Sequence, residues 1–270
     1  MVISVKDVLC KDEILRYSDK EKGSPSFIVL DTVDSTNNYA KRLAAGGAED
    51  GTVVVANEQT GGKGRMGRNF FSPPGTGIYM SVILRPHAAA AEAATATVTA
   101  CVAVCRVIER LSGCSPKIKW VNDIFSGGKK VCGILAEGAG DFHDGVPEYT
   151  VIGIGINVCT PACDFPEEIR KTAGSIQIHG ITRNKIIAEI ADEVLGICRT
   201  PVTADILAEY KSRLFLLGTD IEYRRGAETR RGKAVDVNRF GNLIVEDENG
   251  GTVVLSSGEV TLKSENFSGI

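Results

Sequence analysis

The chain has 270 residues, 43% of them hydrophobic and 24% charged, with a formal net charge of -3, the composition of an ordinary soluble protein large enough for one big domain and a small one. That balance excludes a protein that binds polyanions through its overall charge, so any nucleic-acid surface would have to be local. No apolar run nears the ~20 residues that span a bilayer, and the charged N-terminus MVISVKDVLCKDEILRYSDK lacks a signal peptide's apolar centre, which predicts a cytoplasmic protein without membrane contact.

The elements follow in chain order. Phe27 to Leu30 is a short apolar strand, and DSTNNYAKRLAAGGA after it reads as a helix that starts at Asp and Ser and ends in glycines. TVVVAN (52–57) and IYMSVIL (78–84) are strands, with a glycine-rich loop suspended between them. From Ala88 to Leu111 an alanine-rich stretch without Gly or Pro predicts a long, buried helix. KIKWV (117–121), KVCGILAEG (130–138) and YTVIGIGINV (149–158) are strands, and 182–198 and 203–217 have helical spacing. Beyond Gly218 the pattern turns to short strands (IEYRR, KAVDVN, NLIVED, TVVLSS, EVTLK) separated by Gly226, Gly241 and Asn249-Gly250-Gly251, which predicts a small β-barrel. The expected division is therefore 1–217 and 218–270.

Eight cysteines are scattered through apparent core elements, which fits reduced, buried thiols; with three histidines and no C-x-x-C, a structural zinc site is not expected.

The loop QTGGKGRMGRNFFSPPGTGIYMS (59–81) carries six glycines and three cations, Lys63, Arg65 and Arg68, and no acid lies between Thr60 and Ala91. Glycines let backbone amides approach a ligand, and the cations add charge-assisted bonds to phosphate or carboxylate oxygens; the alternative is a merely mobile loop. It is not a P-loop, and GIGIN (153–157) is not a dinucleotide fingerprint, so that strand should instead pack closely on something. KWVND (119–123) presents Asn122 and Asp123 at a strand end, either as an Asx-turn or as a magnesium ligand beside phosphates. Lys130 opens an apolar strand and either meets an anion or snorkels at a sheet edge. Ser35, Thr36 and Asn37 supply either an N-cap, which spacing alone favours, or a polar cluster for a small neutral head group. Arg224, Arg225, Arg230 and Arg231 either form a nucleic-acid surface or solubilise a hairpin.

Taken together and in order, DSTNNYAK, EQTGGKGRMGRNFFSPPGTGIYMS, KWVND, KVCGILAE, GIGINV and GNLIVEDENGGTVVLSSGEV resemble the biotin-protein ligase family, over nearly everything from Phe27 to Leu262. The resemblance implies an α+β fold: a mixed β-sheet catalytic domain related to class II aminoacyl-tRNA synthetases and lipoate ligases, then a C-terminal SH3-like β-barrel. It implies the substrates biotin and ATP with Mg2+, biotinyl-5′-AMP as intermediate, and a biotin carboxyl carrier protein domain of a biotin-dependent carboxylase as acceptor, with a homodimer as candidate assembly. Carried over by position, Ser35, Thr36, Asn37 and Gln59 contact the biotin head group, and Lys63, Gly64 and Arg65 close over biotin and its adenylate beside Gly133. Arg68 faces ATP phosphates, Phe70 lies near adenine, and Asn122, Asp123 and Asn157 serve the nucleotide and metal, Asp123 being the magnesium ligand. Lys130 sits between the carboxylate and the α-phosphate, and Lys130, Arg65 and Asp123 form the catalytic set.

Three positions depart from the family pattern. Lys63 and Met66 replace loop arginines, which should weaken retention of the adenylate; Phe70 stands where Trp is common, and Val121 where Pro is usual. About 26 residues precede the first strand, too few for the helix-turn-helix of the DNA-binding members, so a monofunctional ligase without nucleic-acid binding is expected. The rivals are a lipoate- or octanoyl-protein ligase on the same fold and a noncatalytic ligand sensor.

Overall fold

The computed structural model describes residues 7–19, 25–85, 93–143, 146–176, 178, 180–199, 202–225, 228–258 and 260–262. Helix α1 (Lys11–Tyr17) leads to strand β1 (Ser26–Val33), helix α2 (Thr36–Ala45), and strands β2 (Thr52–Gln59) and β3 (Gly77–Leu84). Helix α3 (Ala93–Ser112) is followed by β4 (Lys117–Lys119), β5 (Asp123–Ser126), β6 (Lys129–His143) and β7 (Val146–Asn157). These seven strands form one sheet in the order β1-β2-β3-β7-β6-β5-β4, parallel only between β1 and β2, hence mixed.

Strand β3 is buried along its whole length because helices cover one face and α2 and the glycine-rich loop the other; this is why IYMSVIL carries no polar alternation. Helix α3 packs its Val98, Cys101, Val102, Cys105 and Ile108 into the core with α5 (Arg183–Cys198). The expected helix start at Ala88 lies outside the described residues, as do Gly226, Glu259 and Lys263. Two further helices, α4 (Glu167–Arg170) and α6 (Ala204–Arg213), complete the α-helices among the described residues.

Strands β8 (Asp220–Arg225), β9 (Glu228–Val237), β10 (Leu243–Asp247), β11 (Thr252–Leu255) and β12 (Val260–Leu262) make an antiparallel, SH3-like second sheet in the order β11-β10-β9-β8-β12. Its Tyr223, Val237 and Val245 belong to the same apolar cluster as the large sheet's helices, and Trp120 Nε1 donates to the Gly241 carbonyl at 2.8 Å. No helix among the described residues is long and apolar enough to cross a membrane.

Two expectations need correction, and one element was missed. The strand through 117–121 stops at Lys119: residues 120–122 reverse the chain so that Lys119 pairs with Asp123, which therefore opens β5. The helix expected to reach 217 ends at Arg213, since Leu214 and Leu216 are drawn into the core and Phe215 N–H pairs with the Ile118 carbonyl. Helix α1 was not anticipated; Cys10 N–H bonds Asn184, and Ser18 and Asp19 bond Asp192, both on α5.

Two of the four hairpin arginines are described in ion pairs. Arg230 is paired with Glu228 and Arg231 with Glu222, within the sheet itself.

Candidate active site

A cavity of about 660 Å³ opens over the middle of the large sheet, walled by the loop Lys63–Phe70, the reversal at Trp120–Asp123, the segment Ile169–Thr172 and, from the small sheet, Gly258, Val260 and Thr261. Its floor is glycine by steric necessity. A Cβ on Gly155 would sit 2.5 Å from the Phe70 ring and one on Gly153 2.0 Å from Asn37 Oδ1, which is the close packing expected of GIGIN. Gly133 carries the same ring at 3.3 Å.

The basic loop is held at both ends. Phe70 N–H donates to the Gly62 carbonyl at 2.8 Å and Gly64 N–H to the Arg68 carbonyl at 2.7 Å, with a single 3-10 turn at Arg65–Gly67 between them. Met66, at φ 56, occupies the left-handed region and is 69% exposed. Arg65 Nη1 donates to Asn122 Oδ1 at 3.3 Å, tying the loop to the reversal after β4. The loop is thus structured rather than merely mobile.

Charge along the cavity is one-sided. Lys63, Arg65, Arg68, Lys119, Lys130 and Lys171 line it, against the single carboxylate of Asp123. Lys130 Nζ lies 2.7 Å from Asp123 Oδ1, a charge contact in which that oxygen accepts no directed hydrogen bond, so the lysine does not snorkel away. Burial lowers the pKa of Arg65 and of Lys119, partly offset by Asp123, while Lys130 and Arg68 press Lys119 down further. Such an excess of cations, with Arg65, Lys119 and Lys130 partly buried, calls for an anionic ligand with more than one charge.

At the other end the cavity is polar and nearly neutral. Ser35 stands at the N-cap position of α2, yet its side chain makes no capping bond; Gln59 Oε1 instead accepts the Thr36 N–H at 2.8 Å. The capping reading therefore fails, and the buried Ser35 hydroxyl faces the cavity lining. Gln59 Nε2 donates to Ser72 at 2.9 Å, and Asn37 Nδ2 donates to Glu137 at 2.8 Å.

The structure gathers Ser35, Thr36, Asn37, Gln59, Lys63, Gly64, Arg65, Arg68, Phe70, Asn122, Asp123, Lys130 and Gly133 around this one space. Asn157 is not among them; its amide donates to the Gly174 carbonyl at 3.0 Å. Lys119 and Lys171 were missed by sequence reasoning, although Lys119 begins the very KWVND stretch that drew attention to Asp123. Among the described residues no three His, Cys, Asp or Glu side chains cluster as metal ligands. Asp123 alone fits only an ion carried in by phosphates, the usual manner of Mg2+. All eight cysteines are free thiols, and burial drives Cys101, Cys132 and Cys198 well up.

Residues 29–157 match the biotin/lipoate A/B protein ligase family, and residues 217–263 the biotin protein ligase C-terminal domain. The chain is 37% identical over 229 residues to the bifunctional ligase/repressor BirA of Bacillus subtilis, covering 83% of this chain and 70% of that one. It is 31% identical over 243 residues to the biotin--[acetyl-CoA-carboxylase] ligase of Mycobacterium tuberculosis, covering 86% and 87%. Among solved structures, the biotin protein ligase of Aquifex aeolicus in complex with biotin and ATP superposes with a TM-score of 0.71 at 27% identity, covering 88% of this chain and 98% of that one.

Proposed function

Because the chain belongs to the biotin/lipoate A/B protein ligase family, we propose that it is an ATP-dependent biotin-protein ligase, activating biotin as biotinyl-5′-AMP and passing it to a lysine of a biotin-dependent carboxylase carrier domain. The observation that carries this reading is one cavity with a neutral polar end and, beside it, six cations against one carboxylate.

A carboxylate is a poor acyl donor. In the first step a biotin carboxylate oxygen attacks the α-phosphorus of ATP, a P–O bond forms, and pyrophosphate leaves with the electron pair of the broken bond. Both reactants are anionic, so their approach costs energy unless cations converge on them; Lys130 and Arg65 serve there, and Arg68 on the phosphate chain. In the second step the neutral lysine amine attacks the acyl carbon, AMP leaves, and the amine loses its proton. Loop 63–70 shields the mixed anhydride from water until then.

Ser35, Thr36 and Gln59 bind the head group over Gly133, Lys63 and Gly64 lie beside it, and Phe70 covers the adenylate. Asn122 positions Arg65. Magnesium would be held by Asp123 and the phosphates, adding charge neutralisation for the leaving pyrophosphate. The eight free thiols support a cytoplasmic setting.

The test is biotin-dependent ATP–pyrophosphate exchange, run beside Lys130→Ala with lipoate as control acid. Exchange with biotin alone, lost in the variant, is expected; exchange with lipoate but not biotin would transfer the assignment to a lipoate ligase.

A further inference from the structure

Strand β6 begins at Lys129, but its ladder with β7 begins only at Cys132, which pairs with Ile156, and β7 ends at the next residue, Asn157. Lys130 therefore lies past the end of β7. A different stretch of chain takes the vacant place beside it. Residues 171–176, arriving from α4, run parallel to the head of β6 and bridge Lys130 at Ala173. Lys130 N–H donates to the Thr172 carbonyl at 2.8 Å, and Gly174 N–H donates to the Lys130 carbonyl at 2.9 Å.

This segment is fastened to β7 through Asn157. The side-chain Nδ2 of Asn157 donates to the Gly174 carbonyl at 3.0 Å, and Ile176 N–H donates to the Asn157 backbone carbonyl at 3.0 Å. A carbonyl can only accept, so the nitrogen end of the Asn157 amide is the one that faces Gly174. Gly174 thus links two residues: its carbonyl is held by Asn157, and its N–H holds Lys130. A Cβ on Gly174 would lie 2.5 Å from Lys129 Cβ, so only glycine lets the segment come this close to β6. Asn157 itself is 6% exposed and stands outside the cavity lining, whereas Lys171 and Thr172, on the fastened segment, belong to it.

The other supports of Lys130 are weaker. The turn before β6 is Gly127-Gly128, both in the left-handed region at φ 55 and 73, and the ladder with β5 shifts register between Ile124 and Phe125, next to the Phe125–Lys130 pair. The long side chain of a lysine adds freedom of its own, so the place of its ammonium, 2.7 Å from Asp123 Oδ1, depends on a fixed backbone.

Building on the biotin reading, we propose that Asn157 and Gly174 are positioning residues for Lys130: together they fasten the segment that stands in for β7 and so hold the Lys130 ammonium where carboxylate and α-phosphate meet. Asn157 acts on the reaction through Gly174 and the Lys130 backbone. Asn157→Ala removes the donor that holds the Gly174 carbonyl, and Gly174→Ala drives the segment away from Lys129; the second change removes no side chain that a nucleotide could touch.

The experiment measures biotin-dependent ATP–pyrophosphate exchange for the wild type, Asn157→Ala, Gly174→Ala and, as control for the cation carried by the same segment, Lys171→Ala, with thermal melting as the check on folding. Both positioning variants should lose about ten- to a hundredfold in kcat, the range expected of a reacting group misplaced by about 1 Å, while KM for biotin holds. Lys171→Ala should act on KM for ATP. Folded positioning variants with wild-type kcat would overturn the inference alone, as would a rise confined to KM for ATP, seen in Asn157→Ala with Gly174→Ala silent (a direct nucleotide contact) or in both as in Lys171→Ala (a segment that only delivers Lys171). If one variant fails to fold, the other decides. Absence of biotin-dependent exchange in the wild type would overturn the ligase reading, and this inference with it.

Discussion

Lys119 offers a test in which stability and function move in opposite directions. Its ammonium is half-buried on β4, with Lys130 and Arg68 as like-charged neighbours and only Asp123 in compensation, and its pKa is lowered from 10.5 chiefly by burial. A lysine whose folded pKa is depressed binds its proton more tightly when unfolded. It therefore opposes folding below the folded pKa, and this penalty is relieved as pH rises towards 10.5. Lys119→Met keeps the length and removes the charge, so at neutral pH the free protein should melt higher. The same change removes one of six cations from the cavity. A charge-assisted contact to phosphate is worth about 1.5–3 kcal/mol, or about 10- to 150-fold in kcat/KM for ATP in the exchange reaction. Transfer from preformed biotinyl-5′-AMP, which needs no pyrophosphate, should suffer far less. A variant that melts lower and exchanges normally would refute the reasoning, because Lys119 would then be a packed structural side chain whose charge serves no ligand.

Two further perturbations probe the frame. Trp120→Phe removes the 2.8 Å bond to Gly241 and strands a buried carbonyl, which should cost about 1–3 kcal/mol in denaturant unfolding; an unchanged midpoint would show that the two sheets are joined by apolar packing alone. Asp34 is lowered to about 2, first by the hydrogen bond from Asn38 and then by Arg42. Its contribution to stability is present above the ordinary value of 3.8 and lost as pH falls towards 2, so Asp34→Asn should flatten that acid limb. Melting curves from pH 5 to 2 that coincide for the two proteins, apart from an offset, would argue against it.

The strands of the large sheet's centre were legible because burial on both faces leaves continuous β-branched runs, as in TVVVAN and IYMSVIL. The basic loop was legible from its glycines and its lack of acids. Strand β5 was hidden because four residues after a reversal carry no periodicity, and the long reading of KIKWV absorbed Lys119 with it. Glu137 was hidden for a different reason. In KVCGILAEG it reads as an ordinary outward-facing strand residue, and its partners Lys41 and Asn37 lie 96 and 100 positions earlier, across α2. Spacing likewise favoured a capping Ser35, and only the location of Gln59 at the end of β2 shows which group satisfies the helix start instead.

The two ends of the cavity differ in a way that the sheet itself imposes. Glycines on β6 and β7 let the Phe70 ring and Asn37 lie close on the middle of the sheet, while β2 and α2 bring neutral side chains to one side and the β4–β5 reversal brings Lys119, Asn122 and Asp123 to the other. A ligand neutral at its head and anionic at its tail can therefore lie along a single line, with its carboxylate arriving where the cations are densest. Each half then holds what the other must not. A charge at the Thr36–Gln59 end would be desolvated among fixed dipoles, and a neutral group among the cations would leave their repulsion unrelieved. Orientation of the carboxylate towards the phosphate is thus decided by where charge is tolerated, before any directed bond to the reacting atoms forms.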